Sequence, residues 1–245
     1  MRAMFTAFVS DLHLAPGRPA QALAFRDFLR TLAPQADALY ILGDLFDHWA
    51  GDDDLGDPFN GNIAAALSAL SGAGVGVYLI HGNRDFLLRE RFAAATGVKL
   101  LPERALVDLY GTPTLLMHGD LLCTQDWRYQ AFRKVVRNRT IQRWFMRLPL
   151  ARRKGVMGGA RRMSEREKQA KRSQIMDVTA AAVDEAFRRH GCARLIHGHT
   201  HRPARHEHVV DGRACERWVL SDWYDHGQYL RVSPAGCEPV DLPLR

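Results

Sequence analysis

A chain of 245 residues that is 47% hydrophobic and 25% charged has the makeup of a globular protein with one sizeable core, not of a disordered or fibrous one. Its four cysteines (Cys123, Cys192, Cys215 and Cys237) form no C-x-x-C pair, which excludes a disulfide scaffold and reads as reduced thiols in a cytoplasmic protein. No run approaches the roughly 18 apolar residues of a membrane span, and Asp11 and His13 interrupt the apolar start too soon for a signal peptide. The net charge of +7 is uneven: residues 126–172 hold 16 Lys/Arg against 3 Asp/Glu, while the remainder holds 18 against 24. Such asymmetry points to a polyanionic partner or a membrane surface, the alternative being a solvated helical face.

Taken in chain order, residues 5–9 are predicted as a first strand that ends at Asp11. Residues 20–32 carry helical periodicity, with Leu23, Phe28 and Leu32 among the apolar positions. Residues 38–42 are a continuous apolar run closing in Gly43-Asp44, and residues 63–70 are helical until glycines at 72, 74 and 76 break the pattern. Residues 75–80 form the third strand, leading into Gly82-Asn83. Residues 114–117 lead into His118, and residues 194–196 lead into His197-Gly198-His199. Residues 217–220 and 228–232 are two further strands with no helix between them, expected as antiparallel additions. Strands alternating with helices indicate an α/β fold, and strands read as unbroken apolar runs are buried on both faces. The basic segment differs. Ile141, Trp144, Phe145 and Leu148 fall at i, i+3, i+4 and i+7, one helical face amid arginines. It is expected to be a helical cap inserted at about residues 124–176 in a single domain spanning 1–245.

Five short pieces carry metal-ligand chemistry: Asp11-x-His13, Gly43-Asp44-x-x-Asp47, Gly82-Asn83-Arg84-Asp85, His118-Gly119-Asp120 and Gly198-His199-x-His201. Each alone is weak. Together, most at the carboxyl end of a strand-like run, they can meet in one crevice, because open α/β sheets place their sites there. Imidazole and carboxylate suit divalent ions of borderline hardness. The assignment is Asp11, His13, Asp44 and His201 to one ion, and Asp44, Asn83, His118 and His199 to a second, with Asp44 as the bridge. His199 and His201 are expected on one face of an extended segment, with Thr200 opposite. Asp47, Asp85 and Asp120 are candidates for supporting the ligands, and Asp52-Asp53-Asp54 reads as a solvated acidic loop.

These motifs resemble those of the calcineurin-like metallophosphoesterase superfamily, whose blocks are D-x-H, G-D-x-x-D, G-N-H-D/E, a later His and G-H-x-H. The one departure is Arg84, where most members have the His of G-N-H. G-N-R-D-F-L-L, with L-Y-I-L-G-D-L-F-D and W-A-G-D-D-D before it and M-H-G-D and I-H-G-H-T-H-R-P after it, is similar to the diphosphatase family that cleaves UDP-2,3-diacylglucosamine in lipid A biosynthesis. Y-Q-A-F-R at 129–133 and I-M-D-V at 175–178 extend the likeness across nearly the whole chain. The resemblance implies a sandwich of mixed β-sheets flanked by helices, with the helical cap inserted. It implies two Mn²⁺ ions per chain, although Mg²⁺, Co²⁺ and Zn²⁺ tolerate the same donors. It implies hydrolysis to UMP and 2,3-diacylglucosamine 1-phosphate, with attack on the phosphorus of the uridine side. It also implies peripheral attachment to the cytoplasmic face of the inner membrane. Substrate contacts carried over fall on Asn83, Arg84, Asp126, Tyr129, Ser164, Lys168, Lys171 and His199, with Lys168 standing where the family often has Asn.

Water must become a nucleophile at neutral pH, and metal coordination can lower its pKa from about 15.7 to about 7, roughly 12 kcal/mol of differential stabilisation. No side chain can match that, so a two-metal-activated hydroxide is the expected attacker. Arg84 offers a guanidinium fork for the phosphoryl oxygens and, with His199, is the expected catalytic pair. The cap's apolar stripe would line the acyl chains or pack on the core. The alternative activity is another two-metal phosphodiesterase or a nuclease on the same fold, although no nucleic-acid-binding module is visible and none is expected to bind. A monomer is the default expectation.

Overall fold

The computed structural model describes residues 4–170 and 177–243. Its strands are β1 (Thr6–Val9), β2 (Ala38–Ile41), β3 (Gly76–Leu79), β4 (Lys99–Leu100), β5 (Arg104–Leu109), β6 (Thr112–Met117), β7 (Arg194–His197), β8 (Ala204–Val210), β9 (Arg213–Val219), β10 (Gly227–Ser233) and β11 (Gly236–Leu242). Its helices are α1 (Pro19–Thr31), α2 (Pro58–Gly72), α3 (Glu90–Thr96), α4 (Trp127–Val136), α5 (Arg139–Phe145), α6 (Leu150–Ala170) and α7 (Ala180–His190). Two mixed sheets result. One has six strands in the order β11-β10-β1-β2-β3-β4, and the other has five in the order β5-β6-β7-β9-β8.

The apolar runs explain the layering. Side chains alternate across a strand, so a strand buried on both faces must be apolar throughout. In β1, Ala7 and Val9 join the core shared with Phe25 and Phe28 of α1. Phe8 between them faces the opposite way, into a core shared with Leu116 of β6 and Ile196 of β7. In the second sheet, Leu115 and Leu195 face α7, packing with Val183 and Phe187. The order is therefore helices, sheet, sheet, helix, as the mixed-sheet sandwich requires. β1, β2 and β3 are mutually parallel, as are β6, β7 and β9, so their carboxyl ends point in common directions.

Several expectations change. The strands near 217–220 and 228–232 do not pair with each other: β9 runs parallel to β7 in one sheet, while β10 runs antiparallel to β1 in the other. Each has its own hairpin partner, β8 or β11, and these were not legible because both are exposed edge strands without an apolar run. Leu23 is half exposed, and Ala22, Ala24, Phe25, Phe28 and Leu29 form the buried side of α1 instead. The acidic loop is solvated only at Asp53. Asp52 is buried and accepts from Trp49 Nε1 at 3.1 Å and from the backbone of Arg89 and Phe92 at 3.1 and 3.0 Å, fixing the start of α3. Asp54 is also buried and pairs with Lys154 at 2.5 Å.

The stripe on the basic segment also divides. α5 ends at Phe145, so Leu148 lies beyond the helix. Phe145 packs on the core, whereas Trp144 remains 65% exposed. The segment α4–α6 is held to the sheets by ion pairs: Arg133 with Asp120 and Glu103, Arg153 with Asp53, Lys154 with Asp54 and Asp57, and Arg161 with Asp47. Four of the segment's cations, Arg133, Arg153, Lys154 and Arg161, are thus matched by carboxylates outside it.

Phe92 is fully buried, edge-on to Phe46 and Trp49. Phe92→Ala should lower unfolding free energy by about 3–5 kcal/mol, the usual cost of emptying an aromatic site, as read from urea denaturation.

Candidate metal centre

Each of the five motif loops begins where a core strand ends: Asp11 after β1, Asp44 after β2, Asn83 after β3, His118 after β6 and His199 after β7. The first two loops are laced together by backbone bonds, Asp11 N to Gly43 O at 3.1 Å and His13 N to Asp44 O at 2.9 Å. The backbone there is unusual. Asp11, His13, Asp44, His199 and His201 all have φ between 48° and 70°, the left-handed region that non-glycine residues rarely occupy. Such residues carry about 1–3 kcal/mol of strain each and cluster at functional sites. This overturns the extended reading of 199–201. A bend with Thr200 N bonded to Gly198 O at 2.9 Å sends His199 toward His118 and His201 toward His13.

Tight contacts between loops need glycine at several places, Gly43, Gly82 and Gly198 among them. At Gly43, with φ +95°, a Cβ would come within 2.5 Å of His118 Nδ1. At Gly82 a Cβ would fall on Asp44 Oδ1, and at Gly198 on Ser10 Oγ and Asp11 Oδ2. These glycines let the carboxylates and the loops close on one another.

The donor atoms converge as the chemistry requires. Asp11 Oδ2 accepts from Ser10 Oγ (2.7 Å) and His199 N (2.8 Å), which turns Oδ1 toward His201 Nε2 at 3.3 Å and His13 Nε2 at 3.9 Å. Asp44 Oδ1 accepts from Arg84 N at 2.8 Å, leaving Oδ2 between His13 Nδ1 (3.8 Å) and His118 Nε2 (3.9 Å). That is a bridging position. Asn83 Oδ1 lies 3.0 Å from His118 Nε2 and 3.1 Å from His199 Nδ1. Those two ring nitrogens are themselves 3.2 Å apart. His118 Nδ1 donates to Leu42 O at 2.8 Å, so Nε2 of the neutral ring presents a lone pair.

The residues fit divalent ions. Nε2 of His118, Oδ1 of Asn83 and Nδ1 of His199 lie within 3.2 Å of one another, a set of donor atoms that one cation could share. Donors sharing an ion at about 2.0–2.2 Å must lie within about 4.4 Å of one another, and the separations above do. Asp11, His13 and His201 form one possible group, and Asp11, Asp44 and His118 form another. Ionisation shows the same demand for positive charge. Burial disfavours the charged His201 ring, yet Asp11 and Asp222 raise it to about 9. Burial, reinforced by the charge of Asp44, lifts Asp85 to about 7, against two backbone donors, Gly82 N and Leu45 N.

Asp47, Asp85 and Asp120 pin loops and helices. Asp120 accepts from Tyr129 Oη (2.8 Å) and Arg133 Nε (2.6 Å), and despite burial its carboxyl stays below the usual range beside His118, His199 and Arg133. Asp47 pairs with Arg84, at 3.5 Å, and with Arg161.

A cavity of about 730 Å³ opens beside the cluster. Asn83, Arg84, Asp126, Tyr129 and His199 line it, and so does Arg161, which sequence reasoning missed because it belongs to none of the motifs. Phe86, Leu87, Phe132, Ile141, Phe145 and Met157 supply an apolar wall. The side chains of Ser164 and Lys168, and Lys171 entirely, lie outside the described residues.

Gly82→Ala should leave the secondary structure intact while displacing Asp44. Overpacking of this kind costs about 1–3 kcal/mol, and uptake of Mn²⁺ in equilibrium dialysis should fall sharply.

The family model for calcineurin-like phosphoesterases matches residues 4–203. A protein of Aromatoleum aromaticum named UDP-2,3-diacylglucosamine hydrolase is 52% identical over 98% of this chain and 97% of its own length. Proteins of the same name from Aeromonas salmonicida and Serratia proteamaculans are 50% and 48% identical, over 94% and 98% of this chain and 91% and 100% of theirs. With its five loops, its donors and its full-length likeness to these hydrolases, the chain belongs to the calcineurin-like phosphoesterase family.

Proposed function

We propose that the chain hydrolyses the pyrophosphate bond of UDP-2,3-diacylglucosamine, releasing UMP and 2,3-diacylglucosamine 1-phosphate for lipid A biosynthesis. The observation that carries this reading is a single cavity with two chemistries. Its lining joins polar and charged groups, among them Asn83, His199, His201 and the arginines Arg84, Arg128 and Arg161, to aromatic and aliphatic side chains such as Phe86, Leu87, Phe132, Ile141, Phe145 and Met157. A substrate that joins a pyrophosphate to acyl chains has the same division. A polynucleotide backbone would leave the apolar wall without a ligand.

Two divalent ions, with Mn²⁺ the first choice, would be held by Asp11, His13, Asp44 and His201 on one side and by Asp44, Asn83, His118 and His199 on the other. They supply acidified water and Lewis acidity toward phosphoryl oxygens. The side chains do the remaining work. Leu42 O fixes the His118 ring so that its lone pair points inward. Arg84 is nearly buried and held by Asp47 and Asp44, at 3.5 and 3.9 Å. Its rotamer is thereby set before substrate arrives, and its fork faces the cavity where negative charge develops on the uridine-side phosphoryl group. Tyr129, tied to Asp120, and Asp126, which caps α4 by accepting from Tyr129 N at 3.1 Å, form a rigid rim beside His199. The apolar wall of α4–α6 takes the acyl chains and keeps water from the leaving group.

The same helices give the protein a face for the bilayer in which its substrate resides. Among the described residues, no helix is long and apolar enough to cross a membrane. Trp127 and Trp144 are 69% and 65% exposed, outside the cavity lining. Arg128 stacks over the first at 5.4 Å and Arg147 over the second at 4.2 Å. Tryptophan beside arginine suits the headgroup region of an anionic membrane.

Mn²⁺-loaded protein incubated with UDP-2,3-diacylglucosamine in ¹⁸O-water should yield UMP carrying the label. No UMP would sink the activity, and label on the sugar phosphate would sink the stated direction of attack. Arg84→Ala should lower kcat by about 10²–10³-fold, the usual loss of a charge-stabilising donor. A change in KM alone would remove Arg84 from the catalytic step. Trp127→Ala with Trp144→Ala should reduce co-sedimentation with phosphatidylglycerol vesicles while leaving turnover of detergent-dispersed substrate near wild type.

A further inference from the structure

The loop after β9 contributes to the centre, although none of its residues belongs to a motif. His201 Nδ1 lies 3.0 Å from Asp222 Oδ2, and its other nitrogen, Nε2, lies 3.3 Å from Asp11 Oδ1. The ring is thus clamped between a carboxylate of the donor cluster and a carboxylate behind it. An imidazole whose far nitrogen donates to a fixed acceptor has its tautomer and its plane set.

The clamp is itself built in. Trp223, next in the chain, is fully buried and edge-on to Phe25 and Phe28 of α1. Its backbone N donates to Asp11 O at 3.3 Å, and its carbonyl accepts from Gln21 Nε2 at 2.7 Å. The loop is therefore anchored to α1 and to the strand end that carries Asp11. Asp222 Oδ1 accepts from Tyr224 N at 3.1 Å, which orients the carboxylate. The Tyr224 ring stacks on His13 at 5.3 Å with an interplanar angle of 12°, and the Arg18 guanidinium lies 4.5 Å over the Tyr224 ring. Two ligand imidazoles, His13 and His201, are thus braced by one short loop.

The support is unequal across the centre. His118, on the side of Asn83 and His199, is braced by a neutral acceptor, the Leu42 carbonyl. His201 is braced by a full negative charge.

We infer that Asp222 is a positioning residue for one ion of the pair: its carboxylate holds the Nδ1–H of His201, so that Nε2 presents its lone pair beside Asp11 and His13. The inference rests on the proposed reading of the cluster as a two-ion centre. It assigns Asp222 to the Asp11-His13-His201 side alone, and it acts through ring orientation and charge, not through contact with substrate.

Mn²⁺ binding to wild type, Asp222→Ala and Asp222→Asn, followed by titration calorimetry and by electron paramagnetic resonance of the bound ion, tests it. Loss of an outer carboxylate typically weakens metal affinity about 10–100-fold. Asp222→Ala should show that loss for one of the two ions, with the other held at wild-type affinity. Asp222→Asn keeps an acceptor for the ring and should retain part of the affinity. Metal-free wild type and both variants should unfold at similar temperatures. Wild-type affinity for both ions in Asp222→Ala would overturn the assignment. So would equal weakening of both ions, which marks general damage to the loop. A wild-type protein that takes up no Mn²⁺ would overturn the two-ion reading, and this inference with it.

Discussion

Buried negative charge is the constraint around which the centre is arranged. Asp11, Asp44, Asp85 and Asp120 are each at most 2% exposed, yet all four stand at the carboxyl ends of neighbouring strands. Carboxylates so placed repel one another in a medium that screens poorly. Each finds a different remedy. Asp120 has Arg133, Asp85 has two backbone donors, and Asp11 and Asp44 each give one oxygen to hydrogen bonds and aim the other at imidazoles. The two inward oxygens remain the focus of the field. Imidazoles and divalent cations answer it, and the chemistry of phosphoanhydride cleavage follows from how strongly those cations are called for.

The helical segment solves a related problem with the opposite sign. Its arginines and lysines need not all face solvent or ligand, because Asp47, Asp53, Asp54, Asp57, Glu103 and Asp120 receive them. Arg137 adds a neutral grip, donating to Gly82 O at 2.8 Å, one residue before Asn83. The walls of the cavity and the donors at its floor are therefore joined through the same loop. Apolar residues of the segment divide accordingly: Phe132, Ile141 and Phe145 line the cavity, while Trp127 and Trp144 face outward with arginines stacked on them.

Much of this was legible in the sequence because burial on both faces forces unbroken apolar runs. β1, β2, β3, β6 and β7 could be read from such runs, and the loops after them could be read from residue types. β8 and β11 could not, since an exposed edge strand has no such signature. The acidic triplet looked solvated because sequence does not show that the amides of Arg89 and Phe92 await a partner. The bend at His199 and His201 was hidden for a different reason: alternation predicts direction only where the backbone is extended, and here φ is positive. Arg161 and Asp222 belong to no motif and reach the centre only through tertiary packing.

The positive φ values carry a thermodynamic consequence. Glycine tolerates that backbone region without penalty, whereas Asp11, His13, Asp44, His199 and His201 do not. At Asp44 a glycine would relieve the dihedral strain and also delete a carboxylate hidden from water. With no cation bound, the native side chain there works against the folded state, and the margin must come from the three apolar cores on either side and between the sheets. The molecule is at its least comfortable at the place where it is most reactive, and its tolerance of unrelated core substitutions is narrower by that amount.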